Sequence, residues 1–295
     1  MENPFLSATV LLGIYCALVL LASLAGGWLL LAIRLTHARL QTAVSFVSGL
    51  MLGMALLHFI PHAFHQNHSM DQTMRLALGG FLVMFFLQRF FPHHHHDVSE
   101  GAPEPGHSGG EPAHGHETST EPGVAARTLA ERAASQLSWA ATTIGMAFHS
   151  LLGGVALAAA VGAEAGGHIG LVGLGTALVI ILHKPFDAMT VSTLMAASGC
   201  SRFSRHVLNG LFALATPLGA ILFYAGASHF FGSSPVFLGG ALAFCAGTFL
   251  CIACADLLPE LQFHSHDRLK LSIALAAGLG VAVLIGLLEP GKAAA

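Results

Sequence analysis

The sequence predicts an all-α polytopic membrane protein of about eight transmembrane helices. Three observations carry this expectation. Of 295 residues, 54% are hydrophobic and only 9% are charged, against about 25% charged in an ordinary soluble domain. The apolar residues come in blocks of about the 20 residues needed to cross a bilayer. Between the blocks stand short breaks carrying turn or charge signals, such as Arg34 to Arg39, Gly199 to Arg205 and Ser233-Ser234-Pro235.

Taken in order, the spans are expected at 6–33, 42–64, 73–91, 135–163, 168–198, 206–231, 235–259 and 269–289. The first runs from Leu6 to Ile33 without a charge. It lacks the basic n-region of a secretory signal and exceeds the length of its apolar core, so it reads as a retained span. Between the third and fourth spans, Pro92 to Gly123 is rich in Pro, Gly, His, Glu and Ser and has no apolar periodicity. Such a stretch cannot bury enough apolar surface to fold alone. The chain therefore divides into 1–91 with spans one to three, a disordered histidine-rich loop over 92–127, and 128–295 with spans four to eight and the metal site.

Lys and Arg placement sets the orientation. Arg34, Arg39, Arg89, Arg127, Arg132, Arg202, Arg205, Arg268 and Lys270 fall in or beside the odd-numbered loops. The other side holds little beyond Arg75 and Lys292. The odd loops, including the histidine-rich one, are then cytoplasmic and both termini lie outside. The five cysteines are odd in number and most sit in apolar blocks, which argues against a disulfide framework. No basic stripe supports nucleic-acid binding. Expected partners are the lipid bilayer and a divalent metal ion.

Histidine is the compositional outlier, at 19 copies. Span five contains His183-Lys184-Pro185-Phe186-Asp187. Ionisable residues at the bilayer centre cost on the order of 2.5–3.5 kcal/mol each even on the lenient scale, and they mark pathways. His183 and Asp187 share one helix face and can reach the same cation. Pro185 frees the carbonyl of Ile181 and predicts a kink with a further oxygen ligand. The alternative is a Lys184–Asp187 ion pair with His183 as a core hydrogen-bonder. Span four adds His149, followed by the small-residue stripe Ser150, Gly154, Ala158, Gly162, which reads as a packing ridge. His149, His183 and Asp187 together form an N/N/O set suited to Zn²⁺, with Fe²⁺, Mn²⁺, Co²⁺ and Cd²⁺ as further candidates.

Two outlying groups complete the inventory. In span two, residues 51, 54, 58, 62 and 65 are expected on one face, so that His58, His62 and His65 line an outer vestibule. The bland reading makes His62, His65 and His68 interfacial polar residues. At the end of span seven, Asp256, Glu260 and His264 recur every four residues, as an exit site or a solvated helix end. There is no His-Glu-x-x-His pair and no Walker or Gly-x-Gly-x-x-Gly loop, so neither an enzyme nor nucleotide coupling is expected, and no cofactor.

These features resemble the ZIP (Zrt/Irt-like) family of metal transporters. The resemblance rests on the eight spans with both ends outside, the histidine-rich loop, His58-Phe59-Ile60-Pro61-His62 in span two, and the polar motifs of spans four and five. It implies a ZIP-like bundle in the plasma (inner) membrane that moves zinc or a related divalent metal into the cytoplasm. It also implies an elevator-like motion and homodimers. His149, Ser150 and Gly153 fall on the family's span-four motif, and His183, Lys184 and Asp187 on its span-five motif. By this resemblance His149, His183 and Asp187 hold the principal metal. Lys184 takes the second-metal position, its ammonium standing in for the second cation as in the family's one-metal members. Gly153 stands where the family has a glutamate, leaving water, Glu260 or a span-two histidine to complete the shell. The competing functions are a membrane-embedded zinc hydrolase and a metal sensor that does not transport.

Overall fold

The structure is a computed structural model that describes residues 4–32, 37–90, 122–165, 171–226, 234–263 and 268–288. Every element among them is helical: α1 (Pro4–Ala32), α2 (His37–Met54), a π-helical turn (Ala55–Phe59), α3 (Ile60–Asn67), α4 (Met70–Phe90), α5 (Pro122–Glu164), α6 (Leu174–Ala197), α7 (Arg202–Gly226), α8 (Pro235–Phe263) and α9 (Arg268–Leu288). Eight segments are long and apolar enough to cross a membrane, with α2, the π turn and α3 forming one of them, Gln41–Asn67.

The expected span limits agree with these segments to within a few residues, except where turns intervene. The fifth begins at Leu174, behind Gly173 at φ 72°, rather than at 168. Helix α5 begins at Pro122, inside the stretch assigned to the loop. Proline is tolerated in a first helical turn because its missing N–H would be unpaired there anyway. Most of the histidine-rich loop lies outside the described residues.

Four spans are inner and four are outer. The second, fourth, fifth and seventh have most of their surface covered, while the first, third, sixth and eighth are largely open. Each inner helix carries an outer one: α9 packs on α2, α7 on α5, α1 on α6 and α4 on α8. The open faces are apolar, as with Leu78, Leu82, Val83, Phe85 and Phe86 along α4. That much exposed apolar surface suits lipid rather than water.

Glycines set the close contacts that make these pairs. A Cβ on Gly154 of α5 would overlap the Thr216 carbonyl of α7, and one on Gly219 of α7 would overlap the Leu151 carbonyl of α5. The small-residue stripe is thus a packing ridge, as expected. On the other side, a Cβ on Gly26 of α1 would strike the backbone of Pro185 in α6.

The π turn changes the reading of span two. The Ile60 N–H donates to the Ala55 carbonyl, five residues back. The inserted residue breaks the 3.6-residue register, so 51, 54, 58, 62 and 65 do not form one lining face. Met51, Met54, His58 and Phe59 are all buried, whereas His65 is exposed. Pro61, at the start of α3, lacks the N–H that a regular helix would use here, which explains why the irregular turn precedes it.

Candidate metal centre

The centre is built on α5 and α6, both inner helices. His183, Lys184 and Asp187 occupy adjoining positions on α6, and all three are buried. Helix α6 continues through Pro185. His149 and Ser150 approach from α5 and are buried as well. One donor atom from each of His149, His183 and Asp187 lies within 4.8 Å of the other two.

Asp187 Oδ2 is the focus. It stands 3.9 Å from His149 Nε2, 3.8 Å from His183 Nε2 and 3.9 Å from Lys184 Nζ. None of these is a hydrogen bond, and this buried oxygen has no hydrogen-bond partner among the described residues. Buried carboxylate oxygens ordinarily close onto donors at about 2.7–2.9 Å. Here three nitrogens stand back from it by roughly one further ångström.

The imidazole of His183 is pre-set for ligation. Its Nδ1 lies 2.8 Å from the Val179 carbonyl. A carbonyl only accepts, so Nδ1 carries the proton, and the Nε2 lone pair of the neutral ring faces Asp187. An i−4 carbonyl supplies this bond within the helix itself. Phe249 of α8 closes one wall, with its ring centroid 4.9 Å from that of His149 and 5.9 Å from that of His183.

The ion pair that was the alternative for span five is present, with Lys184 Nζ 3.9 Å from Asp187 Oδ2, but the ammonium is shared with other partners. It donates to Ser150 Oγ and sits 4.6 Å from the centroid of the Phe212 ring, a cation–π distance. Ser150 is itself anchored, since its carbonyl accepts from Thr216 Oγ1 at 3.0 Å. Ser150 was read from the sequence as part of the packing stripe and the span-four motif, not as a partner of Lys184, and the Phe212 and Phe249 rings were not singled out. A hydroxyl or a phenyl ring within an apolar span carries no signal of its own there.

Gly153 lies one turn beyond His149 and is buried, yet a Cβ built on it meets nothing within 4 Å. The tightly packed glycine is its neighbour Gly154. The missing family carboxylate therefore leaves space rather than a filled contact.

The outlying residues go elsewhere. His58 Nε2 lies 2.9 Å from the carbonyl of Ala282 on α9, so this imidazole donates to a helix backbone outside the three-residue cluster. His62 Nδ1 lies 3.7 Å from Glu164 Oε1 at the end of α5. Asp256 and Glu260 fall on α8, but their side chains, and all of His264, lie outside the described residues. The five cysteines are free thiols, and Cys251 Sγ points to Gln88 Oε1 at 3.6 Å.

A family model described as ZIP zinc transporter matches residues 10–286. The chain belongs to that family. As a ZIP-family protein with eight membrane-crossing helices, it is an integral membrane protein. It is 36% identical over 173 residues to zinc transporter ZIP9-B of Xenopus laevis, a match covering 55% of this chain and 53% of that protein. The chain thus spans about half the length of that relative. It is 28% identical over 334 residues to zinc transporter ZIP9 of Micropogonias undulatus, covering 97% of this chain and 94% of the relative. It is likewise 28% identical over 289 residues to zinc transporter ZIP13 of Mus musculus, covering 91% and 73%. The fold class and the family resemblance drawn from the motifs are both borne out.

Proposed function

We propose that this ZIP-family chain transports a divalent metal ion, zinc first, with His149, His183 and Asp187 as its central site. One observation carries the reading: the buried Asp187 Oδ2 faces two imidazole nitrogens at 3.8 and 3.9 Å with no hydrogen bond closing the gap. Zinc bonds of about 2.0–2.2 Å in a tetrahedron separate ligand atoms by about 3.4 Å. Asp187 is within about half an ångström of that spacing from each imidazole, and all three ligand atoms lie within 4.8 Å of one another, so side-chain movement alone brings the trio onto an ion. Three protein ligands leave a fourth position for water, which suits a cargo that must also leave.

Lys184 makes the centre a one-metal site. Its buried ammonium lies as near to Asp187 as the two histidines do, and a second divalent ion beside it would meet strong repulsion in a low-dielectric setting. The Lys and Arg asymmetry supports cytoplasmic odd-numbered loops and outer termini. The family resemblance supports inward transport, the plasma (inner) membrane and homodimers. A hydrolase would need a general base beside the open zinc position, and the carboxylate of the cluster, Asp187, is assigned here as a ligand. A sensor that does not transport is separated by flux.

The test is zinc flux into proteoliposomes containing the purified protein. His149→Ala, His183→Ala and Asp187→Ala are each expected to reduce flux to background while leaving the protein in the membrane. Wild-type flux in all three variants would remove these residues from the pathway, and absence of flux in the unmodified protein would favour the sensor.

A further inference from the structure

A second polar cluster stands at the far end of α5. Glu164 closes that helix, and its Oε2 accepts the Gly173 N–H at 2.7 Å, tying the α5 terminus to the start of α6. Its other oxygen, Oε1, faces His62 Nδ1 of α3 at 3.7 Å. Both side chains are about one-fifth exposed and lie toward the ends of their spans. Gln66, one turn after His62, donates to the Ala163 carbonyl at 3.3 Å and holds α3 against α5.

A third group comes from α1. Tyr15 is 4% exposed and shares its packed cluster with Val161, one turn before Glu164, and Val172, beside Gly173. It lies close enough to Glu164 to feel its charge. Its buried hydroxyl has no hydrogen-bond partner among the described residues. A phenol sunk in an apolar cluster beside a carboxylate is costly unless something polar reaches it.

We propose that His62 and Glu164 form an outer binding site for a partly hydrated divalent cation, with Tyr15 bonding a water on that cation. The His62–Glu164 separation is too long for a hydrogen bond and close to the spacing of about 3.4 Å that two ligands of one tetrahedral zinc require. Gly173 fixes one carboxylate oxygen and leaves the other turned to the histidine. With two protein ligands and the rest water, the site holds the ion loosely. Fifteen residues separate Glu164 from His149, so at 1.5 Å per residue the cluster sits roughly 22 Å along α5 from the central site. Its role as a loading point rests on the transport reading above, but its capacity to bind a cation does not.

The test is histidine carbethoxylation by diethyl pyrocarbonate on the full-length purified protein, mapped by tandem mass spectrometry, across a zinc titration. Zinc is expected to protect His62 in the wild type and equally in His183→Ala, where the central site is broken. Glu164→Gln keeps an oxygen for the Gly173 N–H but removes the charge, and it should raise the half-protecting zinc concentration by at least about tenfold. Tyr15→Phe, which deletes only the oxygen, should raise it by about tenfold as well. Equal modification of His62 with and without zinc would overturn the proposal. So would protection that vanishes in His183→Ala, which would mark an effect transmitted from the central site, or protection indifferent to both the Glu164 and Tyr15 substitutions. Because this readout is labelling rather than flux, it stands or falls separately from transport.

Discussion

Restoring a carboxylate at position 153 should tighten zinc binding at the central site. Gly153 is four residues from His149 and so projects from the same helix face. A Cβ there meets nothing within 4 Å, so the first atom of a longer side chain enters free space. A unit anion about 4 Å from a divalent ion gains about 8 kcal/mol at an effective dielectric of about 20. Burying the carboxylate costs several kcal/mol of hydration. The surplus is about 1–3 kcal/mol, or roughly 5- to 150-fold in affinity. Gly153→Glu should therefore lower the zinc dissociation constant by that factor, while Gly153→Gln, equal in bulk and uncharged, should not. Calorimetric titration measures it, with each protein compared against the same protein also carrying His149→Ala, His183→Ala and Asp187→Ala, so that zinc on the histidine-rich loop cancels. Equal affinities for the Glu and Gln variants, both folded, would refute the electrostatic argument. Gly154→Ala is the packing control. Its added methyl meets the Thr216 carbonyl and should destabilise the bundle by about 1–3 kcal/mol, lowering the melting temperature in detergent.

Two further outcomes are expected. Deleting residues 93–121 should leave zinc flux largely intact, because that stretch has too few apolar residues to support the bundle, and loss of the monodisperse peak in size-exclusion chromatography would contradict this. Single cysteines placed at Ser69 and Ser108 should react differently with an impermeant thiol reagent in intact cells, Ser69 labelled and Ser108 protected, and the reverse pattern would invert the orientation.

Much of this architecture is legible in one dimension, because lipid imposes one-dimensional rules. A span needs about 20 apolar residues, and charge is expelled to its ends. The expected 73–91 and Met70–Phe90 therefore nearly coincide. The pairing of His183 with Asp187 was equally readable, since a four-residue spacing already places both on one face of a helix. His149 was grouped with them as a second intramembrane histidine and by the family motif, not by spacing. Nothing in spacing links residues 34 positions apart, and only the docking of α5 on α6 brings its Nε2 to 3.9 Å from Asp187.

Where the chain departs from regular helix, or where a neighbour decides the environment, the sequence was a poor guide. The π turn at Ala55–Phe59 shifted the register of span two, so His58 went to the Ala282 carbonyl and His62 to Glu164. Gly153 and Gly154 look alike in the sequence, yet one borders free space and the other a backbone carbonyl of α7. Glu164 drew no notice as a single acid at the end of an apolar run, and its meaning depends on α1, α3 and α6 converging there. Composition and spacing thus determined which segments cross the membrane and which side chains on one helix can act together. Contacts between helices depend on packing across long sequence separations, and only the tertiary structure decided which helices meet, at what height, and which buried polar atoms are left facing one another.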